Sequence, residues 1–221
     1  MPKIKRVKQN SLSAQNGITS GDCLLKINGK PIVDFLDYTY LSANEHLILE
    51  FPDRVIELEN ENFENLGLEF DTMLIDEQKK CHNKCIFCFI DQNPKNMRES
   101  IYFKDDDYRL SFLHGNYISL TNLSKEDIAK IIDYNLPRIN VSVHTTNPQL
   151  RVKMLNNKSA GNVLEIMQKF AVAGISMNCQ IVLCPGINDG DELTRTINDL
   201  VKLHPVVESV SVVPVGLTKH R

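Results

Sequence analysis

The sequence predicts an α/β fold, in which a partial (βα) barrel is preceded by a small, mostly-β domain. Two observations predict it. Early in the chain, short apolar segments are separated by turn residues, which is typical of hairpins. Later, apolar strands alternate with helical segments, which is typical of parallel strands joined by right-handed crossovers. We place the domains at residues 1–62 and 63–221.

The first domain is predicted from one hairpin and the segments that follow it. An apolar run at residues 24–27 predicts a strand, and Asn28-Gly29 predicts a tight turn, because both central residues of that turn need positive φ. The return strand is expected to begin at Ile32. Two further strands are predicted at residues 47–51 and 55–58, and a polar, acidic linker at residues 59–66.

The second domain is predicted to contain five parallel strands and at least three helices. The strands are expected at residues 66–75, 116–120, 138–143, 177–183 and 206–213. The helices are expected at residues 124–135, 160–173 and 191–203. Ser124 and Asp127 form a capping box, and Gly174 is a C-terminal cap.

The last strand of this domain is apolar along most of its length, so we expect it to be covered on both faces. The sequence stops just after it. We therefore expect a barrel that is incomplete at its C-terminal end.

The composition is that of an ordinary globular protein. The chain has 221 residues, of which 42% are hydrophobic and 24% are charged, and its formal net charge is −3. This charge gives no basic field for nucleic acid. No apolar run approaches the roughly 18 residues of a membrane span, and no secretory signal follows the basic residues near the start. We expect a cytoplasmic protein without a membrane or nucleic-acid partner.

Three clustered cysteines predict a metal site. Cys81, Cys85 and Cys88 have the spacing Cys-x-x-x-Cys-x-x-Cys. They follow the first predicted barrel strand, at the end where barrel enzymes place reactive groups. Thiolates are soft ligands that suit iron–sulfur clusters or zinc. A four-iron cluster on three cysteines leaves one iron free to bind another molecule.

Two other interpretations of these cysteines stay open. A structural zinc site needs a fourth ligand, which Cys179 or Cys184 could supply, whereas His82 is poorly placed beside Cys81. Alternatively, the three are buried core residues, since cysteine is often fully buried. We favour the open cluster, because no second paired motif accompanies the three cysteines.

The motif and several longer segments resemble the radical S-adenosylmethionine (SAM) superfamily. As in that family, an aromatic residue, Phe87, precedes the last cysteine. The wider pattern resembles an uncharacterised group of radical SAM proteins with an N-terminal PDZ-like domain and a C-terminal domain of unknown function. The segments that carry it are residues 88–94, 104–112, 114–117, 120–123, 142–144, 182–190 and 213–218. The resemblance implies a partial TIM-like radical SAM barrel in a family whose members continue past residue 221.

This resemblance also implies cofactors and a reaction. It implies that Cys81, Cys85 and Cys88 hold a 4Fe-4S cluster whose open iron binds the amino and carboxylate groups of S-adenosylmethionine. One electron, from a donor such as flavodoxin or ferredoxin, then cleaves the cofactor to methionine and a 5′-deoxyadenosyl radical. That radical abstracts hydrogen from a substrate that the sequence does not identify.

Four further residues are expected to contact the cofactor by this resemblance. Phe87 is expected near the adenine, and Ser142 lies on a strand segment that contacts the cofactor in related enzymes. The usual Gly-Gly-Glu segment is absent, and Asn122 is the nearest polar candidate in its place. Asn188 is expected to reach the ribose. A core aromatic is the alternative for Phe87, and a plain turn is the alternative for Asn122 and Asn188.

Three features stay open between binding and structure. The acidic segment Lys104–Asp107 could bind a cation, although we favour a solvated segment. His144 is either a proton donor or a satisfied buried histidine. Residues 17–32 resemble the carboxylate-binding half of PDZ domains, so a peptide or protein ligand and an internal docking role are both open. The rival account of the chain is a non-catalytic, metal-stabilised scaffold, with zinc or an iron–sulfur cluster, that carries a PDZ-like binding module.

Overall fold

The structure is a computed structural model that describes residues 2–220. The predicted domains begin at Met1 and end at Arg221, and these two residues lie outside the described range. The fold divides into two compact units at the boundary between Gln78 and Lys79. In the described range, no helix is both long enough and apolar enough to cross a membrane.

Among the residues that the structure describes, the first unit contains six short strands and two helices. In chain order they are β1 (Ile4–Val7), α1 (Leu12–Gln15), β2 (Lys26–Ile27), β3 (Lys30–Pro31), α2 (Phe35–Ser42), β4 (His46–Glu50), β5 (Val55–Glu59) and β6 (Leu68–Phe70). An antiparallel sheet has the order β3-β2-β4-β5, and a separate antiparallel pair joins β1 to β6. Apolar residues of these strands form one buried core.

The predicted tight turn in this unit is confirmed, but the return strand is Lys30–Pro31 and ends before Ile32, where it was expected to begin. Asn28 and Gly29 connect β2 to β3 with φ values of +51° and +74°. The Asn28 side chain also accepts a hydrogen bond from the Ile48 N–H at 2.7 Å, which ties the turn to β4. Helix α2 was not predicted, although Asp34 and Asp37 form a capping box at its start.

The strand predicted at residues 66–75 is wrong in its length and in its partner. Only Leu68–Phe70 is extended, and this strand pairs with β1 rather than with the parallel sheet. Leu66 and Leu68 are buried in the core of the first unit, which decides where the segment pairs. The structural division therefore follows Gln78, whereas the sequence placed a boundary between residues 62 and 63.

The second unit is built on a parallel sheet. Its elements are α3 (Tyr108–His114), β7 (Tyr117–Ile118), α4 (Lys125–Asp133), β8 (Arg138–Ser142), α5 (Pro148–Leu155), α6 (Val163–Val172), β9 (Ser176–Leu183), α7 (Gly190–Val201) and β10 (Val207–Pro214), with 3₁₀ turns at Ile90–Gln92, Glu99–Tyr102 and Lys158–Asn162. The strand order is β10-β9-β8-β7, and every neighbouring pair is parallel. The mixed α/β class with a parallel sheet is thus confirmed.

Most of the predicted elements of this unit are present. Helices α4, α6 and α7 and strands β7 to β10 lie within a few residues of their predicted bounds. The capping box of Ser124 and Asp127 is formed, and Gly174 has a φ of +77°. Helices α3 and α5 were not predicted.

The burial of β10 differs from the prediction. Of its eight residues only Val207 is buried. In the described part of the chain, β10 is an edge strand with β9 as its only neighbour in the sheet.

Candidate metal centre

A cavity of about 340 Å³ lies at the C-terminal edge of the parallel sheet. All three cysteines of the motif line it. Residues at or just beyond the ends of the four strands complete the wall, and they include Ser119, Ser142, Val182 and Pro214. Because the carboxyl ends of parallel strands meet at one edge, this is the place where such sheets bind ligands.

Backbone hydrogen bonds hold the cysteine loop on two sides. On one side, the Cys81 N–H donates to the Lys104 carbonyl at 2.8 Å, beside a bridge between Lys80 and Asp105. On the other side, Lys84 and Ile86 donate to carbonyls at the end of α5, each at 2.9 Å. Cys81 therefore follows an isolated antiparallel bridge, and the expectation that it follows a barrel strand is wrong.

The three cysteines are free thiols with half-buried side chains. Within residues 2–220, no three Cys, His, Asp or Glu side chains are grouped closely enough to hold a single metal ion. Three thiols around one cavity suit a larger cluster instead, because each thiolate of a four-iron cluster binds a different iron.

The electrostatics of the thiols also fit a positively charged metal centre. Burial, together with Cys81 and Cys88, raises the pKa of Cys85 to about 12. Burial also raises the pKa of Cys81. Burial and mutual repulsion make it unfavourable for these thiols to ionise together. Coordination to a metal offsets this cost, because a coordinated thiol is deprotonated. The donor set therefore fits an iron–sulfur cluster.

Phe87 belongs both to the cavity wall and to a small buried core. Its side chain is buried among Met154, Leu155 and Cys184, and Cys85 packs against this group. Its ring centroid lies 4.3 Å from that of His144. Phe87 is thus a core aromatic that also lines the cavity, and its contact with the adenine stays a prediction.

His144 is a buried, neutral histidine at the cavity wall. Its Nδ1 accepts a hydrogen bond from the Val182 N–H at 3.2 Å, so the ring proton lies on Nε2. Burial, and then the charge of Arg151, lower the pKa of His144 to about 3. His144 can therefore donate a hydrogen bond from Nε2 but carries no charge at neutral pH.

Arg151, which the sequence analysis missed, is a buried cation behind the cavity. Its guanidinium donates to four backbone carbonyls, those of Ser119, Ser142, Val143 and Ala160, at 2.7–2.9 Å. Burial lowers the pKa of Arg151 to about 10, so it stays charged at neutral pH. It ties the ends of β7 and β8 to the segment around α5.

The interpretation of Lys104–Asp107 as a solvated segment is wrong. Asp106 and Asp107 are 3% and 0% exposed. Asp106 accepts a hydrogen bond from the Ser119 N–H at 2.6 Å, and burial raises its pKa. Asp107 caps α3 and forms an ion pair with Arg109 at 2.6 Å. The segment is a buried support for the cavity.

A polar network continues from Asp106 along one wall of the cavity. The Ser119 hydroxyl donates to Asp106 and accepts a hydrogen bond from the Asn83 amide at 2.9 Å. The Asn83 Oδ1 in turn accepts from Thr121 at 3.0 Å and from Asn157 at 2.7 Å. Because Asn83 lies between Cys81 and Cys85, this network fixes the cysteine loop against β7.

The structure brings together only some of the predicted site residues. Phe87 and Ser142 line the cavity with the three cysteines. Asn122 and Asn188 are outside its lining. The Asn122 amide donates to the Lys80 carbonyl at 3.4 Å. The Asn188 side chain bonds to three backbone groups, the Cys184 N–H at 2.7 Å and the carbonyls of His144 and Val182 at 2.8 and 3.0 Å.

Further cavity residues come from the segment after the cysteines. Gln92 donates from its side-chain amide to the Gly216 carbonyl at 2.7 Å, and its backbone carbonyl accepts from the Thr218 hydroxyl at 3.1 Å. The segment after β10 is therefore tied to the cysteine loop. Gln92 lies in residues 88–94, and Gly216 and Thr218 lie in residues 213–218. Both segments resemble the radical SAM group, and this resemblance is the only feature of the sequence that pointed to these residues.

Comparison with protein families adds an independent result. A family model described as a radical SAM-like domain matches residues 60–210. The match includes the cysteine motif, strands β7 to β9 and the first part of β10. No curated protein matches the chain.

Proposed function

This chain belongs to the family of radical SAM-like domains, and on that basis we propose that it is a radical SAM iron–sulfur enzyme that reductively cleaves S-adenosylmethionine. In this proposal Cys81, Cys85 and Cys88 hold a 4Fe-4S cluster, and S-adenosylmethionine binds at the iron they leave open. When bound, these groups supply one electron and a 5′-deoxyadenosyl radical that takes hydrogen from an unidentified substrate.

The observation that carries the proposal is the meeting of three free thiols in one cavity. Cys81, Cys85 and Cys88 come from a single loop, yet they share their cavity with residues from all four parallel strands. A structural site could lie anywhere on the surface. A site at the carboxyl ends of parallel strands is where an enzyme of this architecture binds its ligands.

The residues around the cavity have definite tasks in this proposal. Phe87 supplies an apolar surface for the adenine and excludes water beside Cys85 and Cys88. Ser142 offers a hydroxyl from the end of β8. His144 presents a neutral N–H, while Arg151 keeps the strand ends in place from behind.

Asn122 and Asn188 stay in the proposal as cofactor contacts. The hydrogen bonds that each makes now are directed to backbone groups: Asn122 bonds to Lys80, and Asn188 bonds to Cys184, His144 and Val182. Contact with the cofactor would therefore require each side chain to exchange these bonds for new ones.

The finer description of the fold is also part of the proposal. We infer that the parallel sheet belongs to a partial TIM-like barrel, which the sequential order of β7 to β10 supports. We infer that the first unit is a PDZ-like domain with a peptide or protein ligand, and that a flavodoxin or ferredoxin supplies the electron. The rival account, a non-catalytic metal-stabilised scaffold, is not favoured by the family match.

Anaerobic reconstitution with iron and sulfide tests the proposal. The reconstituted protein, reduced with dithionite in the presence of S-adenosylmethionine, is expected to form 5′-deoxyadenosine. Cys85→Ala should lose both the cluster and this product. Cys23→Ala, which removes a thiol from the first unit, should keep both. Stoichiometric zinc, or a full cluster without cofactor cleavage, would contradict the proposal.

A further inference from the structure

Lys104 lies against the cysteine loop and is held at both ends. Its carbonyl accepts the Cys81 N–H at 2.8 Å. Its Nζ lies 2.5 Å from the Asp91 Oδ1, and its side chain is only 25% exposed. Lys104 lines the cavity together with the three cysteines. A positive charge is thus fixed at the rim of the site.

Lys104 and Cys88 line the same cavity. Asp91, which forms an ion pair with the ammonium, lies three residues after Cys88. The ion pair therefore connects Lys104 to the segment that follows the cysteine loop. The ion pair with the Asp91 carboxylate stabilises the charged form of Lys104. Lys104 is therefore a cation at neutral pH.

A fixed cation at the cavity that the ligand sulfurs line has a redox consequence. Reduction of an iron–sulfur cluster adds one negative charge to the cluster and its thiolates. Net charge nearby and hydrogen bonds to the sulfurs set the potential at which this electron is accepted. A partly buried charge acts more strongly than an exposed one, because water and salt screen it less.

We propose that Lys104 is a positioning residue that raises the reduction potential of the cluster, by holding its ammonium at the cavity of the three cysteines with Asp91 as its support. This inference rests on the proposed function, since Cys88 must bind a cluster. The step concerned is the transfer of one electron from a reductant, here dithionite, to the cluster. No bond forms or breaks in it.

A potentiometric titration followed by electron paramagnetic resonance tests this role without S-adenosylmethionine. The proteins compared are the unaltered chain, Lys104→Met, Lys104→Arg and the matched control Lys84→Met. Lys84 lies in the same loop, beside Cys85, but its side chain is exposed. Iron content is measured for each protein before its titration.

Lys104→Met should titrate at a more negative potential. At the midpoint of the unaltered protein, its ratio of reduced to oxidised cluster should fall about tenfold, which is about 59 mV for one electron. Lys104→Arg should recover most of this loss, because it keeps the charge. Lys84→Met should have the same midpoint potential as the unaltered protein.

Full iron content in Lys104→Met with an unshifted midpoint would overturn the inference. If Lys104→Met loses iron, Lys104→Gln takes its place in the same comparison. Loss of iron from both variants would mean that Lys104 holds the loop together rather than tuning the potential, and would also overturn it. An unaltered protein that binds no cluster would instead contradict the proposed function, and iron content separates that result from the others.

Discussion

The ring of Phe87 lies 4.3 Å from the imidazole of His144, with the two planes inclined at 49°. This contact joins the cysteine loop to the segment that leaves β8. His144 is itself fixed by Val182, which donates to its ring, and by Asn188, which donates to its carbonyl. Contacts among buried residues thus set the form of the cavity wall.

Acid is predicted to destabilise the second unit through His144. Burial and Arg151 lower its pKa to about 3 in the folded chain, compared with about 6.5 when unfolded. Between these values the unfolded chain binds a proton that the folded chain does not, so stability falls as the pH falls. From about pH 7 to about pH 5 this costs about 2 kcal/mol.

Denaturant titrations at those two pH values measure the effect. His144→Asn is the matched variant, because its amide does not titrate and asparagine tolerates the φ of +62° at this position. It should lose about 2 kcal/mol less than the unaltered protein over the same interval. Equal losses in both proteins would contradict the assignment.

Arg151→Met is predicted to cost at least about 3 kcal/mol of unfolding free energy, because it leaves buried carbonyls without donors. Four hydrogen bonds to backbone oxygens are lost at once. Arg151→Lys should recover only part of the loss, since an ammonium cannot reach all four oxygens in that planar arrangement. Urea denaturation measures both variants, and a change below about 1 kcal/mol in Arg151→Met would show that the carbonyls find other donors.

Gly67→Ala is predicted to destabilise the first unit much more than Gly17→Ala. Both glycines have φ near +75°, so both substitutions carry the same backbone strain of about 1–2 kcal/mol. An added Cβ at Gly67 would overlap the Ser11 side chain, whereas nothing lies within 4 Å of one at Gly17. Thermal unfolding of the two variants isolates the steric part, and equal losses would contradict the packing of Ser11 against Gly67.

Asn188→Ala is predicted to lower stability by about 1–3 kcal/mol, because the side chain bonds to three backbone groups in this loop. The proposed ribose contact predicts in addition a raised KM for S-adenosylmethionine in the folded fraction. Denaturation and cofactor-cleavage kinetics on the same variant separate the two roles. A variant with unchanged stability would show that the loop does not depend on Asn188.

The sequence predicted best those features that local patterns determine. The spacing of the cysteines, the capping box at Ser124 and the turn at Asn28 all depend on residues close in sequence. Strand periodicity also located β7 to β10. Periodicity does not say which sheet a strand joins, however, so residues 66–75 were given to the parallel sheet although Leu66 and Leu68 are buried in the other unit.

The features that the sequence analysis missed depend on partners far along the chain. In the sequence, Asp106 and Asp107 look like part of a solvated run of charges. In the structure, Ser119 donates a hydrogen bond to Asp106, and Arg109 forms an ion pair with Asp107. Arg151 likewise gives no local sign of burial, because its acceptors are carbonyls from several elements. Burial of a charged group follows from the tertiary fold, which alone brings these partners within hydrogen-bond distance.

Mössbauer spectroscopy of the ⁵⁷Fe-reconstituted protein, with and without S-adenosylmethionine, tests the central claim most directly. The claim is that Cys81, Cys85 and Cys88 hold a four-iron cluster whose remaining iron binds the cofactor. The account predicts four irons per chain and a change on cofactor addition in the signal of one iron out of the four. A cluster whose spectrum is the same with and without the cofactor, or a chain that takes up no iron, would contradict it.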